Sequence, residues 1–336
     1  MFFSIIIPAY NAELTITRCL NSIYALSIQE TEFEVIVIDD CSTDRTVTFI
    51  EEFKQVHPNI VLLKQPQNHR QGAARNRGLS IAKGKYVVFL DSDDEIQSGL
   101  ISALEHAETS DLDMTIMKGG VIGSDGLTTK TYSLPYKSNE IFSGTSFQLS
   151  HRFWCTAPWP YLYRMSFLKR VDYPFAEDVL YEDSDFVNVH LYFAQRMGYC
   201  DKSCYLIHEN PFSTTHTMSY KHVCDYALLG TRMLNFHNRI EDKNTPYADS
   251  ILEGGSWNIM QSCKNLLKLD SQSGIRAFYD RFDMFADRKS LFHYREPAYC
   301  WTAWTRFCIR HRKMTTSLVG LCLSTGVTKL IRKRHR

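Results

Sequence analysis

The first hundred residues alternate short apolar runs with segments of helical spacing, and that alternation restricts the chain to an α/β architecture. Phe3-Ser4-Ile5-Ile6-Ile7, Glu34-Val35-Ile36-Val37-Ile38, Ile60 to Leu63 and Tyr86-Val87-Val88-Phe89-Leu90 read as strands. Consecutive β-branched and aromatic residues suit strands covered on both faces. Between them, Leu14, Cys19, Leu20 and Ile23 recur at helical spacing, and Val47, Ile50 and Phe53 do so behind a capping Asp44 or Thr43. Gly72 to Ala82 reads as a third helix, with Gly84 just past its end. Such alternation implies a doubly wound, mostly parallel sheet with flanking helices.

After residue 112 the pattern changes. Met114 to Met117 reads as a strand, and Gly119 to Pro135 as a polar excursion with the character of a hairpin. An aromatic-rich stretch, Phe153 to Phe175, precedes a helix over Glu182 to Met197 that places Phe186, Val189 and Phe193 on one side. From Tyr220 onward the chain reads mostly as helices. The expected division is a domain over 1–218, with a ligand-binding half at 1–112 and a second half at 113–218, and a helical C-terminal region with a basic tail at 219–336.

Doubly wound sheets bind ligands beyond the carboxyl ends of their strands, near the reversal of strand order. Pro8 to Asn11, Asp39 to Ser42 and Asp91 to Asp94 each follow a strand directly, so three polar loops converge on one edge. The cluster Asp91-Ser92-Asp93-Asp94 crowds carboxylates that repel one another. A chain accepts that cost most readily beside a divalent or phosphate-bound cation. A solvated acidic loop is the alternative for the cluster by itself; the convergence of loops favours a ligand site.

At 336 residues the chain suits one large or two ordinary domains of ~150 residues. A net charge of +1 supplies no global field for nucleic acid. The ten cysteines contain no Cys-x-x-Cys, which disfavours a structural zinc module. With a strand-like start and no apolar run of ~18 residues, the expectation is a cytoplasmic protein with reduced thiols. The basic residues of 329–336, beside Leu318, Leu321, Leu323, Val327, Leu330 and Ile331, suit the anionic inner face of a membrane, a solvated charged tail or a partner-facing helix.

Ile7-Pro8-Ala9-Tyr10-Asn11, Ile38-Asp39-Asp40-Cys41-Ser42-Thr43-Asp44, Gly72-Ala73-Ala74-Arg75-Asn76-x-Gly78 and Phe89-Leu90-Asp91-Ser92-Asp93-Asp94 stand in the order found in family 2 glycosyltransferases. Tyr161 to Arg164 with Phe167-Leu168, then Tyr181-Glu182-Asp183, resembles that family's acceptor-side segment. The resemblance covers roughly residues 3 to 216. It implies a GT-A fold, a nucleotide-sugar donor, often uridine-linked, and a requirement for Mg²⁺ or Mn²⁺.

By that resemblance Asp91 lies toward the donor ribose with Ser92 beside it, Asp93 ligates the metal, and Asp40 accepts a hydrogen bond from the base. Arg75 faces the base or a phosphate, Pro8, Ala9 and Tyr10 contact the nucleotide, and Asp183 is the catalytic base of an inverting transfer. The residues alone leave alternatives: an Asx-turn or helix cap at Asp40, helix capping by Asp94, dipole stabilisation by Glu182-Asp183, and Glu182 or Asp185 as the base. Cys41 stands where the family more often has glycine or another small residue. His208 and His216 are candidate additions to the metal shell, and Trp154, Trp159, Tyr161 and Tyr163 are candidate sugar platforms. Processive synthases of the family carry membrane helices and Gln-x-x-Arg-Trp, neither of which occurs here. A single addition to a saccharide or lipid-linked saccharide, in surface-glycan synthesis, is the expectation. A nucleotidyltransferase and a silent nucleotide-sugar-binding scaffold are the competing classes.

Overall fold

The computed structural model describes residues 2–123, 125–137, 140–151, 155–209 and 220–265. Two compact units form: Met1–Asp178 with Glu182–Pro211, and Val179–Tyr181 with Phe212–Arg336.

In the first unit, β1 (Phe3–Ala9), β2 (Phe33–Asp39), β3 (Ile60–Lys64) and β4 (Tyr86–Phe89) alternate with α1 (Ile16–Tyr24), α2 (Thr46–Val56) and α3 (Arg70–Ile81). Then come β5 (Glu95–Ile96), α4 (Gly99–Thr109), β6 (Met114–Ile122), β7 (Thr128–Tyr132), α5 (Gly144–Ser150) and β8 (Tyr161–Arg164). The unit closes with α6 (Met165–Val171), α7 (Asp183–Phe193) and β9 (Met197–His208). The strands form one sheet in the order β3-β2-β1-β4-β8-β6-β9-β5, with β7 on β6.

Pairing is parallel across β3-β2-β1-β4, the doubly wound part legible in the sequence. Antiparallel pairing enters at β8, which lies against both β4 and β6, and β9 then runs parallel to β6. Every residue of β1, β2 and β4 is buried, because helices cover both faces. One face packs on α1 through Ile16, Cys19, Leu20 and Ile23, and the other on Ala74 of α3 and the aromatic group Tyr163, Phe175 and Phe186. Leu14, placed in the first helix by its spacing, precedes α1 and is 89% exposed. Phe193, expected beside Phe186 and Val189, is 38% exposed at the end of α7. The polar excursion is indeed a hairpin, with Gly119 opposite Tyr132.

Within the α7 core, His190 is buried against Tyr163, Phe167 and Phe186, with Nδ1 on the Phe186 carbonyl at 2.8 Å. Burial holds its pKa down at about 4. The unfolded chain therefore binds a proton between pH ~6.5 and ~4 that the folded chain refuses, so stability is full above that window and is lost as pH falls through it. The expected loss is roughly 3 kcal/mol. Urea titrations from pH 7 to 4 should show it, and His190→Asn should flatten the slope; an unchanged slope would contradict this assignment.

The second unit contains the helices α8 (Tyr220–Arg239) and α9 (Pro246–Asn265), which approach closely where Gly230 meets Gly255. No helix among the described residues is long and apolar enough to cross a membrane. Trp154, His216 and the basic run 329–336 lie outside the described residues.

Candidate active site

The reversal of strand order falls at β1, flanked by β2 and β4. The loops after these strands are tied together by side chains of their own sequence. Asn11 Oδ1 accepts from the Thr43 amide at 2.9 Å, and the Asn11 amide donates to Ser42 Oγ at 3.0 Å. The Asp40 amide donates to the Ala9 carbonyl at 2.8 Å. Pro8 and Ala9 are buried at the strand end, whereas Tyr10 is 50% exposed at the rim. Cys41 sits at φ +67°, in the left-handed region where glycine is least strained, which accounts for the family's preference there.

Asp39 forms the Asx-turn, accepting from the Ser42 amide at 3.2 Å. Asp40 is buried and accepts from Gln65 Nε2 and from the amides of His69 and Arg70, each at 2.7 Å. Its carboxylate therefore fixes the start of α3 and keeps about one of its four lone-pair sites for a further donor.

The acidic loop is held by β9, which the sequence reading missed. Tyr205, fully buried and stacked on Trp159 at 4.8 Å, accepts from the Asp91 amide at 3.1 Å and donates to Asp94 Oδ2 at 2.9 Å. Asp94 Oδ1 accepts from the His208 amide at 2.9 Å. Asp94 thus ties the loop to β9 and does not cap α4, whose first residue is Gly99. Burial, with the neighbouring Asp91 and Asp93 charges, pushes its carboxyl well above the usual range. His208 Nε2 lies 2.7 Å from Glu95 Oε1, so its ring faces that carboxylate. Arg18 of α1 completes the hold, donating to the Asp93 carbonyl at 2.5 Å and pairing with Glu95 at 3.3 Å.

Arg75 is the centre of charge. Its guanidinium is 2% exposed and donates to Asp91 Oδ1 at 2.8 Å and to Glu182 Oε1 at 2.5 Å, beside the Phe175 ring. Although burial opposes its charge, Asp91, Glu182 and Asp183 hold it protonated. Sequence reading turned this side chain toward a nucleotide; the structure turns it onto two carboxylates, one from the β4 loop and one from the start of α7. Asp183 opens α7 half-buried, and burial followed by the Glu182 charge pushes its pKa up to about 8. Asp185, the alternative base, is fully buried and accepts from the Tyr173 hydroxyl at 2.8 Å. Ser92 and Asp93 are half-buried on the same loop as Asp91.

The structure thus brings Asp91, Arg75, Glu182 and Asp183 together, with Asp93 two residues along the loop and Asp40 at the start of α3. Sequence reasoning assigned no role to Arg18, Gly72 or Asn76. Gly72 and Asn76 stand inside the motif that runs from Gly72 to Gly78, and Arg18 carried no comparable signal. Asp93 offers hard carboxylate oxygen for Mg²⁺ or Mn²⁺, and such ions commonly take only one or two protein carboxylates and complete their shell with phosphate oxygen. Among the described residues no group of three or more His, Cys, Asp or Glu side chains that could hold a metal ion occurs.

Residues 4–172 match the family described as Glycosyl transferase family 2. EpsJ, an uncharacterized glycosyltransferase of Bacillus subtilis, is 32% identical over 235 residues, covering 67% of this chain and 66% of EpsJ's own length. The S. aureus TarS fragment solved with UDP-GlcNAc superposes with a TM-score of 0.63 at 22% identity, over 97% of this chain and 92% of that one. The Pyrobaculum calidifontis mannosyltransferase PcManGT, solved with GDP-Man and Mn²⁺, gives 0.53 at 16% identity, over 96% and 86%. The chain belongs to glycosyl transferase family 2 and has its GT-A fold.

Proposed function

We propose that the protein is an inverting glycosyltransferase moving a sugar from a nucleotide-diphosphate donor, of the uridine series, to an acceptor hydroxyl. The observation that carries this reading is the single guanidinium of Arg75 joining Asp91 of the acidic loop to Glu182, the neighbour of Asp183. One carboxylate for the donor and one for the acceptor are thereby held in a common frame.

Pro8, Ala9 and the Tyr10 ring contact the nucleotide, Asp40 receives its base, and Asp91 with Ser92 takes the ribose. Arg75 serves that site through Asp91, fixing the carboxylate it touches. Asp93 holds Mg²⁺ or Mn²⁺, which when bound neutralises charge developing on the leaving diphosphate. Asp183, once ionised, accepts the acceptor's hydroxyl proton as its oxygen attacks the anomeric carbon opposite the leaving group. The TarS complex with UDP-GlcNAc and the PcManGT complex with GDP-Man and Mn²⁺ support a nucleotide-sugar donor and an ion. The acceptor is a saccharide or lipid-linked saccharide of a cell-surface glycan, met at the cytoplasmic membrane face by the basic residues 329–336. Flotation with anionic liposomes should require that tail, and binding that persists without it removes this last element.

Thermal denaturation against a panel of nucleotide sugars tests the donor site, since a ligand at 100 times its Kd stabilises by about 2.7 kcal/mol. Uridine-linked sugars with Mn²⁺ should raise the midpoint, and Asp93→Ala should cancel the ion's share. A panel in which no nucleotide sugar moves the midpoint contradicts the reading.

A further inference from the structure

Gly72, Arg75 and Asn76 of helix α3 stand three, six and seven residues after His69, the N-cap residue of that helix. All four meet residues 175–182, the strap that runs into Asp183. Asn76 Nδ2 donates to the Phe175 carbonyl at 3.0 Å and to Glu177 Oε1 at 2.8 Å, while Asn76 Oδ1 accepts from the Phe175 amide at 3.0 Å. The His69 carbonyl accepts from the Asp178 amide at 3.2 Å, and its ring nitrogen Nδ1 lies 2.9 Å from Asp178 Oδ1. Arg75 takes Glu182.

Gly72 is required by contact. A Cβ there would stand 2.1 Å from the Ala176 carbonyl oxygen and 3.0 Å from Glu182 Cγ. The strap is also stacked on α7, with the Phe175 and Phe186 rings 3.7 Å apart and 9° from parallel. Two strap residues, Asp178 at φ +57° and Tyr181 at φ +62°, are in the left-handed region. Such backbone persists where surrounding contacts over-determine it. The same helix begins on the Asp40 carboxylate, so its place in the fold is fixed from the donor side.

We propose that Asn76 and Gly72 are positioning residues, gripping the 175–182 strap so that Asp183 stands at the correct place relative to the Asp91 to Asp94 loop. The proposal rests on the catalytic reading of Asp183 given above. Neither residue touches substrate in this account; both act through the strap. The motif around Arg75 thus serves the acceptor side of the reaction as well as the donor side.

The test compares Asn76→Ala, which removes three hydrogen bonds, with Gly72→Ala, which pushes the strap from the other end. Each should lower kcat roughly 10- to 100-fold, the scale expected from displacing a reacting group by about an ångström. Calorimetric Kd for UDP should stay within about twofold of wild type in both, and hydrogen exchange of the peptide 175–185 should quicken. A merely structural role would instead weaken UDP binding in step with turnover. That result, or kcat within about twofold of wild type, overturns the proposal. The exchange arm is independent of catalysis: unchanged exchange at 175–185 sinks the strap even if Asp183 is the base. If wild-type protein transfers no sugar while exchange quickens as stated, the failure lies with Asp183's catalytic role, and the positioning role falls with it.

Discussion

Asp183→Asn should abolish sugar transfer while the protein keeps its fold. The carboxylate opens α7 half-buried, and the asparagine side chain occupies nearly the same volume. A positioned general base contributes roughly 10²- to 10⁴-fold, so transfer should fall by that factor with donor affinity little changed. The folded-state pKa is raised to about 8, chiefly by burial and then by Glu182, whereas an unfolded aspartate ionises near ~3.9. Between these values the folded state holds a proton that the unfolded state has lost, so this group's contribution to stability declines as pH rises through the window and is constant above it. Removing the charge therefore leaves the melting midpoint at pH 7.5 equal to or above that of wild type. Activity runs the other way: the base works ionised, so kcat/KM should climb with pH through the region near 8. A variant that transfers at near-normal rate, or a wild-type profile that falls across that region, contradicts the role.

Arg75→Ala should produce the largest loss of stability of any single change considered. The guanidinium is buried between Asp91 and Glu182, and its removal leaves Glu182, 6% exposed, with a charge that has lost its partner. Breaking a buried ion pair in this way costs about 3–5 kcal/mol. Against a typical domain stability of 5–15 kcal/mol, that is enough to unfold a marginal protein near body temperature. The double variant Arg75→Met with Glu182→Gln should recover much of the loss, because it also removes the stranded charge. Denaturant midpoints of wild type, Arg75→Met, Glu182→Gln and the double variant give the coupling directly. Additive effects would show that the two side chains do not depend on one another.

The parallel half of the sheet was legible because β1, β2 and β4 are covered on both faces and so read as unbroken apolar runs. Their order along the chain, with Asp40 and Asp91 directly after the second and fourth, also gave the edge where the candidate site lies. What failed was pairing between distant segments. The strand β9 hides because Asp201, Lys202 and Ser203 are exposed in its middle, where its register against β6 shifts. With β9 missed, Tyr205 could not be matched to Asp94, for which the residues alone offered helix capping. Arg75 sits 16 residues from Asp91 and 107 from Glu182, separations that no periodicity encodes. Its motif identified the family but not its partners. Leu14 illustrates a smaller failure, since three of the four apolar positions read for α1 are buried and the fourth precedes the helix.

The acidic loop is better explained by the structure than by its charge. Its backbone is held at the Asp91 amide by Tyr205 and at the Asp93 carbonyl by Arg18, while Asp94 is committed to β9. That arrangement spends one carboxylate on architecture and sets the loop that carries Asp91 and Asp93.

The central claim is that Asp93 and an ion act on a nucleotide-sugar donor at this edge of the sheet. The most direct measurement is release of UDP from uridine-linked sugars by purified protein, with Mn²⁺, with a chelator, and with the Asp93→Ala variant. Release with Mn²⁺ that both the chelator and the variant remove is the expected result. Release that survives both treatments would contradict it.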